Sequence, residues 1–196
     1  MTRAEIKVLA KQQIKGNVGN LFVISFLIEL ITVASNAVPF IGVLIVTPAF
    51  GLSLITIYLN LTKGLKLEIG NMFSGFNDFW SAFKVQFLCG IFTFLWLLLF
   101  IIPGYIKALS YSMSMYVLAE NPRMNALEAI DCSKKMMKGH KLELFILILS
   151  FIGWNLLAIL TLGILYIWLL PYMQASMANF YKSLKPVEQV IEAPVI

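Results

Sequence analysis

Fourteen of the 15 Lys and Arg residues lie outside the hydrophobic stretches, in alternate connecting segments of a chain that is otherwise nearly continuous apolar sequence. Arg3, Lys7, Lys11 and Lys15 open the chain, and Lys63, Lys66 and Lys84 follow the second stretch. Arg123, Lys134, Lys135, Lys138 and Lys141 follow the fourth, and Lys182 and Lys185 follow the last. The connections near Pro39, Pro103 and Gly163 carry none. Cytoplasmic loops of membrane proteins retain Lys and Arg, whereas translocated loops lose them. The pattern predicts an all-α, polytopic membrane helical bundle of six transmembrane helices in three hairpins, with cytoplasmic amphipathic helices between them. Both termini and both long loops are then cytoplasmic, and the chain is a multi-pass protein of the cell membrane.

Composition fits lipid as the solvent. The 196 residues are 60% hydrophobic and 13% charged, against roughly a quarter charged in a soluble domain. A span needs about 20 mainly apolar residues, and six windows answer: Leu21 to Val38, Val43 to Leu61, Val85 to Ile102, Tyr105 to Ala119, Leu142 to Leu160 and Ile164 to Tyr181. Residues 1–185 read as one integral membrane domain and 186–196 as a flexible tail. Continuous hydrophobicity of this length favours helices over barrel strands, which alternate.

The net charge of +5 sits beside hydrophobic segments, which points to anionic lipid headgroups rather than nucleic acid. A protein partner or a homo-oligomer remains open. Cys89 falls in a span and Cys132 in a loop, so two free thiols are expected. Ser35-Asn36-Ala37 has the look of a signal-cleavage site. Glu29 inside the apolar run, Pro39 just beyond, and an internal repeat argue against it.

The repeat appears on shifting the chain by about 123 residues. Lys15-Gly16 then meets Lys138-Gly139, Pro48 meets Pro171, Ser53 meets Ser176 and Tyr58 meets Tyr181. Pro48 and Pro171 are candidate helix kinks at matching places. Each hairpin is preceded by a segment of helical character: Arg3 to Lys15, Asn77 to Lys84, and Asn125 to Lys138. In the last, Asn125 and Glu128 have capping-box spacing, and Gly139 stands where a helix would stop. Leu127, Ile130 and Met137 are expected to share one face, with Lys134, Lys135 and Lys138 turned towards water or phosphate, as in an interfacial helix.

Two charges fall inside predicted spans. Glu29 lies eight residues into the first, about 12 Å deep. Lys107 begins a polar face of the fourth that continues through Ser110, Tyr111 and Ser114. An ionised side chain at mid-bilayer costs roughly 2.5 to 3.5 kcal/mol. Glu29 and Lys107 are therefore expected to pair, either as an ion or proton site or as polar glue between helices. Asn155, Gln174 and Asn179 read as the same kind of glue.

No Gly-rich phosphate loop, nucleophile elbow or HExxH occurs, and His140 is alone. No catalytic residue, cofactor or metal is expected.

The run Leu99-Phe100-Ile101-Ile102-Pro103-Gly104-Tyr105-Ile106-Lys107-Ala108, with Tyr116-Val117-Leu118-Ala119-Glu120-Asn121-Pro122, Ala126-Leu127-Glu128-Ala129-Ile130, Met137-Lys138-Gly139-His140-Lys141, Ser150-Phe151-Ile152-Gly153-Trp154 and Pro171-Tyr172, resembles the bacterial integral membrane family known as domain of unknown function 975. That resemblance implies a class and no activity. It is also distantly similar to the membrane domain of glycerophosphodiester phosphodiesterases, whose catalytic domain has no counterpart in this sequence. The expected function is a non-enzymatic integral membrane protein of the bacterial cytoplasmic membrane, acting through interaction with lipid or a protein partner. The alternative is a small transporter or channel with its polar site around Glu29 and Lys107.

Overall fold

The computed structural model describes residues 1–35, 42–67 and 69–185. The turn expected near Pro39 and the tail 186–196 lie outside the described residues. The protein is all-α, and no strand occurs among the described residues. Its helices are α1 (Arg3–Ile14), α2 (Val18–Ser35), α3 (Thr47–Thr62), α4 (Phe79–Leu99), α5 (Ile101–Tyr111), α6 (Ser114–Glu120), α7 (Ala126–Met136), α8 (Lys141–Leu149), α9 (Ile152–Leu160) and α10 (Tyr166–Ser183). A π-helical turn, Gly42–Val46, leads into α3, and a 3-10 helix, Ile69–Phe76, precedes α4.

Four helical stretches are long and apolar enough to cross a membrane: Val18–Ser35, Leu44–Thr62, Phe79–Leu99 and Lys141–Leu160. The fourth and sixth sequence windows differ from these for physical reasons. Window 105–119 is divided between α5 and α6, because the Met113 amide donates to Ser133 Oγ at 3.2 Å and the helix is interrupted at Ser112 and Met113. The sixth corresponds to α10, which carries Gln174, Asn179 and Lys182 and is largely buried by its neighbours. Helix α4 begins at Phe79, so residues 79–84 belong to the long helix and the 3-10 segment is the true connector.

Local chemistry sets the boundaries. Thr2 caps α1, its hydroxyl accepting from the Glu5 amide at 3.3 Å while the Glu5 carboxylate accepts from the Thr2 amide at 3.0 Å. Asn125 and Glu128 form the same reciprocal box before α7, each bond being 3.3 Å. These bonds satisfy orphan donors of the first turn. After α1 and α7 the repeated Lys-Gly pairs turn the chain identically, with φ +89° at Gly16 and +90° at Gly139, the left-handed region that Gly enters freely. Pro48 stands in the first turn of α3, where a missing amide hydrogen goes unnoticed, and the π-turn ahead of it absorbs the change of direction. Pro171, by contrast, is interior to α10. The matched prolines thus have different local roles.

The packing is cyclic. The chain divides into thirds, each with a connector, a long apolar helix and a closing helix: α3, the α5–α6 pair, and α10. Each connector packs along the closing helix of another third: the 3-10 segment on α3, α7 on α6, and α1 on α10, where the circle shuts. The long helices follow the same rule, with α4 against α3, α8 against α5 and α2 against α10. A buried tyrosine marks each closing helix: Tyr58, Tyr116 and Tyr181. Tyr116 and Tyr181 stack with centroids 5.4 Å apart, and the Tyr58 hydroxyl shares a 3.2 Å hydrogen bond with Ser25 of α2.

Polar or very small residues seat each connector. The Gly75 amide donates to Ser53 Oγ at 2.8 Å, and a Cβ on Gly75 would stand 2.0 Å from the Ala49 carbonyl oxygen. Only a residue without a side chain allows the 3-10 segment this close to α3. Ser133 of α7 donates to the Ser110 carbonyl at 2.8 Å. On α10, Asn179 and Gln13 of α1 exchange carboxamide hydrogen bonds of 2.5 and 3.2 Å. Ile6, Ala10 and Ile14 are buried on the same face of α1. Lys7 Nζ lies 4.5 Å from the Phe151 ring centre, and Lys11 lies 5.6 and 5.5 Å from those of Trp168 and Tyr172. The N-terminal helix therefore lies alongside α10 instead of standing apart from the bundle.

Candidate functional site

The closing helices end together, and their charges meet there. Glu120, the last residue of α6, has a nearly buried carboxylate that accepts from the Tyr181 hydroxyl at 2.8 Å. Lys185, just after α10, pairs with the same carboxylate, and Lys63, just after α3, lies 3.9 Å from it. Lys182 donates to the Thr62 carbonyl at 2.8 Å. The carbonyl ends of helices are electronegative and favour cations. An acid at such an end is unfavourable by itself, and the lysines of the other two closing helices compensate it. Two ammonium groups then pair with one carboxylate, and a third, that of Lys182, feels its charge. Lys182 is held below the usual lysine range by burial first, then by repulsion from Lys63, with Glu120 acting in the opposite direction. The cluster is electropositive and has room in its charge balance for another anion.

Beside it opens a cleft of about 520 Å³ lined by Gln13, Asn17, Asn20, Gly64 and Lys66, with Leu61, Leu65 and Leu67. The start of α2 and the end of α3 form opposite walls, so α2 begins at the end of the bundle where Glu120 lies. Carboxamides and one ammonium on an apolar floor suit an anionic group carrying an apolar body. A second cavity, about 380 Å³, lies between Leu44 and Pro48 on one side and Phe83 to Phe94 of α4 on the other. Its walls are apolar apart from Gln86.

The polar face expected on the fourth window is real, and protein fills it. Ser110, Tyr111 and Ser114 are buried. Ser110 Oγ donates to the Ile106 carbonyl at 2.9 Å, Ser114 Oγ is 3.7 Å from Cys89 Sγ of α4, and Ser133 of α7 reaches across to the Ser110 carbonyl. These bonds hold α4, α5, α6 and α7 together. Lys107 is half-exposed, with Nζ 4.5 Å from the Trp96 ring centre. Glu29 is exposed on α2 and has no hydrogen bond or ion pair among the described residues. The structure does not bring Glu29 and Lys107 together as a pair. Neither residue lines either of the two cavities above.

On α7 the docking face is Ala126, Ala129, Ile130 and Ser133, continued by Met137 beyond its end. Leu127 is exposed, contrary to its expected place beside Ile130 and Met137. Small residues let the helix approach α6 closely, and the face they define is rotated away from Leu127. Lys134 bonds Asp131 at 2.7 Å and lies 5.8 Å from the Tyr111 ring centre, while Lys138 is exposed. Cys89 and Cys132 are free thiols. Among the described residues no group of three or more His, Cys, Asp or Glu is placed to hold a metal ion.

Glu120 escaped the sequence reading. It falls just outside an apolar window, and its partners Lys63, Lys185 and Tyr181 belong to other thirds of the chain, so nothing local marks it.

The family described as protein of unknown function (DUF975) matches residues 1–110 and 97–188, and the chain belongs to it. No curated protein and no solved structure matches the chain.

Proposed function

We propose that this DUF975 protein is a non-enzymatic, multi-pass protein of the cell membrane that binds anionic lipid headgroups at its basic end. The observation carrying this reading is the cleft of Gln13, Asn17, Asn20 and Lys66 beside a cluster in which Lys63, Lys182 and Lys185 outnumber Glu120. A phosphate there would accept hydrogen bonds from carboxamides and ammonium groups and relieve the repulsion felt by Lys182. The acyl chains would run along the apolar outer helices.

The reading includes the topology. The Lys and Arg distribution supports six spans in three hairpins, with the Glu120 end and both termini on the cytoplasmic side. The convergence of Lys63, Glu120 and Lys182 at one end agrees with parallel units.

The test is thermal unfolding of the purified protein in neutral detergent with added phosphatidylglycerol or phosphatidylcholine. Phosphatidylglycerol should raise the transition temperature, the rise should shrink with salt, and Lys66→Ala should reduce it. Equal shifts from both lipids, or a shift indifferent to Lys66, would refute the headgroup site.

A further inference from the structure

Glu29 and Lys107 remain to be explained. Glu29 projects from the outer face of α2 among Phe26, Leu30 and Val33, all at least half exposed. Leaving it ionised against hydrocarbon costs roughly 2.5 to 3.5 kcal/mol. Lys107 has the Trp96 ring beneath it and no carboxylate among the described residues. The two unmatched charges are opposite in sign.

They also lie at similar depths when the helical rise is counted, for Lys107 through the interruption at Ser112 and Met113. The cleft sets the start of α2 beside the end of α3, and Lys63 ties the end of α3 to Glu120 at the end of α6. Counted from that common end, Glu29 is eleven residues along from Val18, about 16 Å at the helical rise, and Lys107 is thirteen residues back from Glu120, about 20 Å. The difference of about 3 Å is within the reach of a lysine stem.

We propose that Glu29 of one copy pairs with Lys107 of a neighbouring copy, and that the outer face of α2 is an interface between copies of this chain in the membrane. Copies inserted by the same charge rule share one orientation, so the two residues meet at equal depth when molecules stand side by side. Because Glu29 is on α2 and Lys107 on α5, the interface is heterologous, and its repetition about the membrane normal gives a ring where the rotation closes and an open row where it does not. The occupant of the face is a second copy because the charge it must supply, at that depth, is one this chain displays unused. The pair replaces the intramolecular one expected from sequence, and it stands independently of the headgroup reading.

The experiment uses two differently tagged full-length copies co-expressed in one cell, cross-linked in native membranes and purified in mild detergent. Wild-type copies should recover each other. Glu29→Lys with itself, and Lys107→Glu with itself, should recover about tenfold less or lower. Glu29→Lys with Lys107→Glu should restore recovery, because each supplies what the other lacks; an intramolecular pair would not be rescued in this way. Glu29→Gln, which adds no repulsion, should also weaken recovery, and an unchanged thermal transition of each variant separates lost association from lost folding. Failure of wild-type copies to recover each other, full self-association of Glu29→Gln, or no rescue between the two reversed variants would overturn the interface.

Discussion

Helices α4 and α10 are of similar length and opposite in character. Helix α4 is mostly apolar, Lys84 and Gln86 apart, and scarcely buried, with Trp80, Phe87, Phe94 and Leu98 turned outward. Helix α10 carries Pro171, Gln174, Ser176 and Asn179 and has Ala175, Ala178, Phe180 and Tyr181 enclosed. In water the apolar helix would be the inner one. In lipid, hydrocarbon solvates Leu and Phe as well as a protein interior does, so burial is won by small side chains that let backbones approach and by polar groups that find partners. The difference teaches that inside and outside are distinguished here by polarity and size, in the sense opposite to that of a soluble fold.

The comparison breaks first at the glycines. Gly75 touches α3, and Gly90 on α4 faces open space. Gly75→Val should destabilise by about 1 to 3 kcal/mol or prevent seating of the 3-10 segment altogether. Gly90→Val should leave the thermal transition in detergent within the small range of helix propensity. Equal effects would mean that the 3-10 segment is not held against α3.

The carboxamides give the next contrast. Asn179→Leu strands the Gln13 side chain at the α1–α10 contact and should cost about 1 to 3 kcal/mol in thermal unfolding. Gln86→Leu lines an apolar groove with one more apolar group and should be neutral or slightly stabilising. A loss at Gln86 matching that at Asn179 would give the groove a polar ligand.

The smallest effect concerns α7, whose outer face, with Asp131 and Lys135, is exposed. Lys134 holds the Asp131 carboxyl below the usual carboxylate range, through a hydrogen bond first and its charge second. A depressed acid contributes stability that is present above its unfolded pKa and is lost as pH falls through the folded value. After division by the intrinsic pH-dependent exchange rate, the opening of α7 reported by amide exchange should therefore be flat near neutral pH and rise slightly only below about pH 4. Asp131→Asn should remove that acid-side rise.

The sequence made the long apolar helices and the capping of α7 legible, because each is encoded within one window. Asn125 and Glu128 stand on the same first turn, whereas the matching box of Thr2 and Glu5 before α1 was not read. What could not be read was which face of an apolar window turns inward. Window 21–38 is apolar on every side, so nothing local reveals that Glu29 faces out while Ile24 and Ile28 face in. Leu127 misled for a related reason: its spacing to Ile130 matched a helix face, but the alanines beside it chose the contact. The Glu120 cluster and the seating of α1 on α10 depend on residues far apart in the chain and leave no trace in any window.

The closure of α1 upon α10 has a consequence for biosynthesis. Helix α1 is made long before α10, the helix it packs against, so during translation Ile6, Ala10 and Ile14 of α1 wait for the surface that covers them. Chains stalled before Tyr166 lack α10, which packs on both α1 and α2, and differ from chains that have made it by an uncovered α1. A protease or chaperone that grips α1 sorts chains lacking α10 from those that have it without inspecting the long apolar helices at all.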